Sequence, residues 1–169
     1  MKVLFIGGVK SGKSSLAEAH TLHLASDIKY EGRPYYLATT EFIDDEMRAR
    51  IRVHQRRRQT QFVTLEEPVG LLSVLRQCQR PVLVECVSMW LNNMLYRQIA
   101  ETDILLELES AMQLQGDFVL VHNEVGLGVI PDNALARQFV DLSGKAAQIM
   151  ARYCDQVYWC SAGLKLPMK

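Results

Sequence analysis

Eight residues near the start of the chain, Gly7-Gly8-Val9-Lys10-Ser11-Gly12-Lys13-Ser14, follow the spacing G-x-x-x-x-G-K-[ST] of a phosphate-binding loop. The chemistry open to this order is specific. Glycines let consecutive backbone N–H groups turn inward around a phosphate, and a helix starting at the loop adds the partial positive charge of its N-terminus. Lys13 is spaced to reach the β- and γ-phosphates of a nucleoside triphosphate, and the Ser14 hydroxyl to coordinate Mg²⁺. The alternative is an ordinary glycine-rich turn between a strand and a helix. A match at every fixed position, between the apolar run Val3-Leu4-Phe5-Ile6 and the helical pattern from Ser15, favours nucleotide binding.

Three further groups could do chemistry beside that loop. Glu85 closes the apolar run Pro81-Val82-Leu83-Val84, and a carboxylate at such a strand end helps a phosphate loop to hold its metal. The segment from Asp44-Asp45-Glu46 through Arg48, Arg50, Arg52 and His54 to Arg56-Arg57-Arg58 is acid-first and base-last, which suits the dipole of a solvated helix. The same spacing puts Arg50 and His54 on one helix face, with Arg57 following. There the arginines would attract phosphate and favour the neutral imidazole, whose lone pair can act as a nucleophile. Spacing alone favours the solvated helix. The third group, His122-Asn123-Glu124-Val125-Gly126-Leu127-Gly128-Val129-Ile130-Pro131, reads equally as a rigid connection or as a crevice-lining loop, with Asp132-Asn133 placed to cap the next helix.

Strands and helices must alternate to position these groups. Strand-like runs cover Val3–Ile6, Pro34–Ala38, Pro81–Cys86, Asp117–Val121 and Gln156–Cys160. Helical patterns cover Lys13–Ala25, Asp44–Arg58, Pro68–Gln77, Glu101–Leu114 and Asp132–Tyr153. Strands this apolar, separated by helices, predict an α/β fold of the P-loop NTPase type, with a mostly parallel sheet flanked by helices on both faces. With no linker or repeat, residues 1–169 read as a single nucleotide-binding catalytic domain.

Composition narrows the partners. Acidic and basic residues number 19 each, so no global field points to nucleic acid or an anionic membrane. The apolar runs are too short to span a membrane and the start has no signal-peptide layout, so a cytoplasmic protein is expected. Cys78, Cys86, Cys154 and Cys160 form no CxxC pair and no metal spacing, and Cys86 and Cys160, in strand-like runs, read as buried reduced thiols. His20 and His23 fall on the first helical pattern and His122 at a strand end, without an evident catalytic role.

Together, in this order, the motifs resemble the adenosylcobinamide kinase/adenosylcobinamide-phosphate guanylyltransferase family. The matching residues are Gly7–Ser14, Tyr36-Leu37-Ala38-Thr39, Asp44-Asp45-Glu46-Met47 with Arg50-Ile51 and His54, Glu85, and Asn123-Glu124-Val125-Gly126 with Gly128. Leu135-Ala136-Arg137, Phe139, Asp141 and Gly144 extend the likeness over nearly the whole chain, while Phe62 and Ala147 depart from the family pattern. The resemblance implies two reactions at one site. Adenosylcobinamide is phosphorylated with ATP or GTP, and GMP is then transferred from GTP to the adenosylcobinamide phosphate through a guanylylated histidine, releasing pyrophosphate. It implies His54 as that histidine, with Lys13 as the other catalytic residue. Gly7, Gly8, Val9, Lys10, Ser11, Gly12, Lys13, Ser14, Arg50, Arg57, Glu66 and Glu85 are the expected nucleotide-binding residues, and Ser14 and Glu85 the Mg²⁺ ligands. A homotrimer, in which a neighbouring chain could complete the site, is implied too. Two other readings use fewer of these residues. A small-molecule P-loop kinase would not need His54, and a non-catalytic nucleotide-binding module would need neither His54 nor Glu85. A regulatory GTPase would carry Asn-Lys-x-Asp, which the sequence lacks.

Overall fold

Val3, Leu4, Phe5 and Ile6 are all buried, as an apolar run in a parallel sheet must be. In the computed structural model, which describes residues 1–26, 30–41 and 60–169, they form the middle of β1 (Lys2–Gly7). The other strands are β2 (Tyr35–Ala38), β3 (Val63–Glu66), β4 (Val82–Glu85), β5 (Phe118–Asn123), β6 (Gln156–Ser161) and β7 (Leu164–Pro167). They make one sheet in the order β3-β2-β4-β5-β1-β6-β7. Every pair is parallel except β6 with β7. The fold is therefore the expected α/β arrangement with a mostly parallel sheet.

Side chains alternate between two cores, as the pleat requires. Val3, Phe5, Leu83, Val119 and Val121 point to one face, against α1 (Lys13–Ala25). Leu4, Ile6, Val82, Val84, Phe118 and Leu120 point to the other. That second core is covered by α2 (Leu71–Leu75), α3 (Val87–Tyr96), α4 (Glu101–Gln113) and α5 (Ala134–Tyr153). Burying a Val, Leu, Ile or Phe side chain contributes about 1.5–3 kcal/mol, so the two cores supply most of the drive to fold. Asn133 caps α5, its Oδ1 accepting from the Ala136 N–H at 3.1 Å.

Some elements differ from expectation for local reasons. The helical pattern Pro68–Gln77 yields only the short α2, because the Glu67 carboxylate accepts from the N–H groups of Val69 and Gly70 (3.0 and 2.8 Å) and holds a turn there. Helix α3 starts directly after β4 and buries Ser88 and Asn93 along with Val87, Trp90, Leu91 and Met94, so it lacks a clean polar face. Strands β3 and β7 lie at the two edges of the sheet. The pattern Asp44–Arg58 lies outside the described residues.

Candidate nucleotide site

The phosphate loop connects β1 to α1 in the centre of the sheet, and its shape depends on two glycines. Gly12 has φ +91°, a left-handed conformation that side chains resist. A Cβ on Gly7 would lie 2.2 Å from the Cys160 carbonyl oxygen, so only glycine allows β6 this close to the end of β1. Inside the loop, the Ser11 N–H donates to Gly8 O at 3.2 Å. Lys13 is almost wholly buried, and its Nζ donates across the loop to Gly8 O at 2.9 Å. Burial lowers the Lys13 pKa, while the charge of Glu85 pulls it back up. The Ser11 hydroxyl is buried without a hydrogen-bond partner, an orphan that a bound phosphate oxygen would satisfy.

Glu85 reaches this loop from the end of β4, although β5 lies between β4 and β1. The Ser14 hydroxyl donates to Glu85 Oε1 at 2.7 Å. A hydroxyl beside a carboxylate is a hard-oxygen donor set of the kind Mg²⁺ takes when phosphates supply its other ligands. No group of three His, Cys, Asp or Glu able to hold a metal occurs among the described residues. Position 85 is fixed from behind. Thr39 Oγ1 donates to Cys86 O at 2.8 Å and accepts from the Cys86 N–H at 3.0 Å. Asn93 Nδ2 in turn donates to Thr39 O at 2.6 Å and to Pro68 O at 2.9 Å. Cys86 itself is a buried thiol whose pKa burial pushes up to about 12, so it stays protonated.

The end of β5 forms the next wall. Asn123 pairs in register with Gly7, and the Glu124 N–H donates to Gly7 O at 3.0 Å. His122 is fully buried between two hydroxyls, with Nδ1 3.2 Å from Ser88 Oγ and Nε2 3.0 Å from Ser143 Oγ. Burial lowers its pKa to about 4, opposed by the Ser143 contact and assisted by the Lys13 charge. The chain then leaves the sheet through a loop in which Leu127, Val129 and Ile130 are exposed. Beside it is a shallow cleft of about 150 Å³ lined by residues including Val129, Arg137 and Asp141.

Gly7 to Ser14 and Glu85 thus come together at the carboxyl ends of β1 and β4. Glu66 ends the edge strand β3 at the same end of the sheet, with β2, β4 and β5 between it and β1. Arg50, His54 and Arg57 lie outside the described residues. His20 packs edge-on to Phe5 at 5.7 Å, and His23 is exposed on α1. Cys86, Cys154 and Cys160 are buried and Cys78 is half-buried, none of them in a disulfide. Among the described residues no helix is long and apolar enough to cross a membrane. Sequence reasoning missed Ser88 and Ser143 around His122, and gave Thr39 no role. The signal for Thr39 was a polar residue directly after the apolar strand 35–38.

Known proteins share this chain's pattern from end to end. A family model described as cobinamide kinase / cobinamide phosphate guanyltransferase matches residues 3–168. The bifunctional adenosylcobalamin biosynthesis protein CobP of Pseudomonas aeruginosa is 38% identical over 177 aligned residues, covering 100% of this chain and 98% of that protein. The bifunctional adenosylcobalamin biosynthesis protein CobU of Escherichia coli is 32% identical over 188 aligned residues, with 100% of both chains covered. Its counterpart in Salmonella typhimurium is 31% identical over the same span and coverage.

Proposed function

The chain belongs to the cobinamide kinase / cobinamide phosphate guanyltransferase family, and from that premise we propose that a single phosphate site serves two successive reactions. The protein is an enzyme of cobalamin biosynthesis, a kinase and a guanylyltransferase. The observation that carries the one-site reading is the convergence of Lys13, Ser14 and Glu85 on one phosphate loop.

In the kinase step the hydroxyl of adenosylcobinamide attacks the γ-phosphorus of ATP or GTP, giving adenosylcobinamide phosphate and a nucleoside diphosphate. Little covalent work falls to the protein here. Backbone N–H groups of Gly8 to Ser14 and the Lys13 ammonium position the phosphates and offset their charge. Ser14 and Glu85 are the residues to hold Mg²⁺, which when bound neutralises charge on the phosphates. In the second step the neutral His54 imidazole attacks the α-phosphorus of GTP. An N–P bond forms, the bond from that phosphorus to the bridging oxygen breaks, and pyrophosphate leaves. A phosphate oxygen of adenosylcobinamide phosphate then attacks the same phosphorus, the N–P bond breaks, and adenosylcobinamide-GDP is released with His54 restored. Arg50 and Arg57 would contact phosphate, and Glu66 would contact the nucleotide. We further propose one catalytic domain spanning 1–169 and a cytoplasmic homotrimer, in line with the family resemblance of the motifs.

Incubation with GTP labelled at the α-phosphorus tests the covalent route. Wild type should carry a label that is lost in acid and kept in alkali, as a phosphoramidate is. His54→Ala should carry none, yet still convert adenosylcobinamide to its phosphate. Equal labelling of His54→Ala would remove that histidine from the mechanism.

A further inference from the structure

The turn between β6 and β7 sits directly on the phosphate loop. Ala162 and Gly163 make a two-residue hairpin connection with φ +51° and +79°, the pairing of positive angles that a type I′ turn uses. The Gly163 N–H donates to the Ser11 carbonyl oxygen at 2.9 Å. The two backbones touch: a Cβ on Gly12 would lie 2.8 Å from Gly163 Cα. Three residues earlier, Cys160 O occupies the space a Cβ on Gly7 would need. On the side facing α1, Lys165 anchors β7, its Nζ 4.3 Å from the centre of the Tyr158 ring and 5.7 Å from that of Phe5.

The consequence for chemistry follows from peptide geometry. In a planar trans peptide the C=O of one residue and the N–H of the next point in opposite directions. The Ser11 carbonyl is held outward, toward the hairpin, so the Gly12 N–H is held the other way, into the loop. We propose that Gly163 is a positioning residue for nucleotide phosphate: its N–H fixes the Ser11–Gly12 peptide and thereby aims the Gly12 N–H at the bound phosphate. The proposal rests on the nucleotide-binding reading of Gly7–Ser14. It places one determinant of nucleotide affinity in the last strand pair, far outside the motif.

Direct titration with GTP and Mg²⁺, without corrinoid, reads the effect independently of turnover. Two variants displace the donor. Gly163→Val puts a β-branched side chain where φ is positive, and insertion of two glycines between Ala162 and Gly163 lifts the turn off the loop while leaving β6 and β7 to pair. Gly163→Asn keeps both the N–H and a residue tolerant of the left-handed conformation, and the Cβ at this position meets nothing within 4 Å. Losing one N–H donor to a charged phosphate should raise the GTP Kd about tenfold or more in the two displaced variants. Gly163→Asn should stay within about threefold of wild type, and the nucleotide-free melting temperatures should not follow the order of the Kd values. Wild-type affinity in both displaced variants would overturn the proposal. So would a loss of affinity that tracks melting temperature across all three, which marks a purely structural turn. Should the insertion fail to fold, Gly163→Val against Gly163→Asn decides alone. A wild type that binds GTP but makes no corrinoid product would count against the proposed function and leave this test standing.

Discussion

Acidification should loosen this protein at one identifiable residue, His122. The imidazole is fully buried behind the phosphate loop, between Ser88 of α3 and Ser143 of α5. Ser88 Oγ already accepts from the Asn123 N–H at 2.7 Å, which leaves its own hydrogen for Nδ1. In either neutral tautomer both ring nitrogens have a hydroxyl within hydrogen-bond distance. Burial holds the pKa at about 4 against an ordinary 6.5. A base with a depressed native pKa means the unfolded chain binds more protons between those values. Stability therefore rises with pH through that window, is complete above about 6.5, and is lost as pH falls toward about 4. The drop from 6.5 to about 4, at 1.36 kcal/mol per unit, corresponds to about 3 kcal/mol in all, of which about 2.5 falls between pH 7.5 and 4.5.

Urea unfolding across that pH range measures the total, to which carboxylates also contribute. His122→Gln isolates the histidine, because the amide can still bridge hydroxyls but does not titrate. The variant should be the less stable at pH 7.5 and should close on wild type, or pass it, by about 2.5 kcal/mol as pH falls to 4.5. Two parallel curves, separated by the same amount at every pH, would refute the burial argument.

The phosphate site supports two further expectations. Lys13→Ala should cost both reactions about 2–4 kcal/mol in kcat/KM, since one cradle serves both donors; a loss confined to one reaction would imply separate sites. Ser14→Ala and Glu85→Gln should shift the Mg²⁺ dependence of the rate to higher concentration, because their oxygens lie 2.7 Å apart in the native site, and an unmoved Mg²⁺ profile in both would place the metal elsewhere.

Local demands were legible in the sequence, and meetings between distant segments were not. The motif named Gly7 to Ser14 because its fixed positions answer backbone and phosphate-binding requirements, and apolar runs located β1, β2, β4, β5 and β6 because interior strands of a parallel sheet are largely buried. Glu85 was recognisable as an acid at a strand end, yet nothing in the sequence said that β5 would stand between its strand and β1. Helix α3 escaped because its buried face includes Ser88 and Asn93, whose hydroxyl and Nδ2 find partners in other elements: His122 and Asn123 in β5, and Thr39 and Pro68. Strand β7 escaped because all four of its residues are exposed. Gly12 joins the two kinds of information. Its left-handed φ is a local demand that the motif encodes, but its lack of a side chain is required a second time by Gly163 Cα, 2.8 Å from where a Cβ would stand. The phosphate loop is therefore shaped by two segments, β1–α1 and the β6–β7 turn, whose backbones meet at Ser11, Gly12 and Gly163.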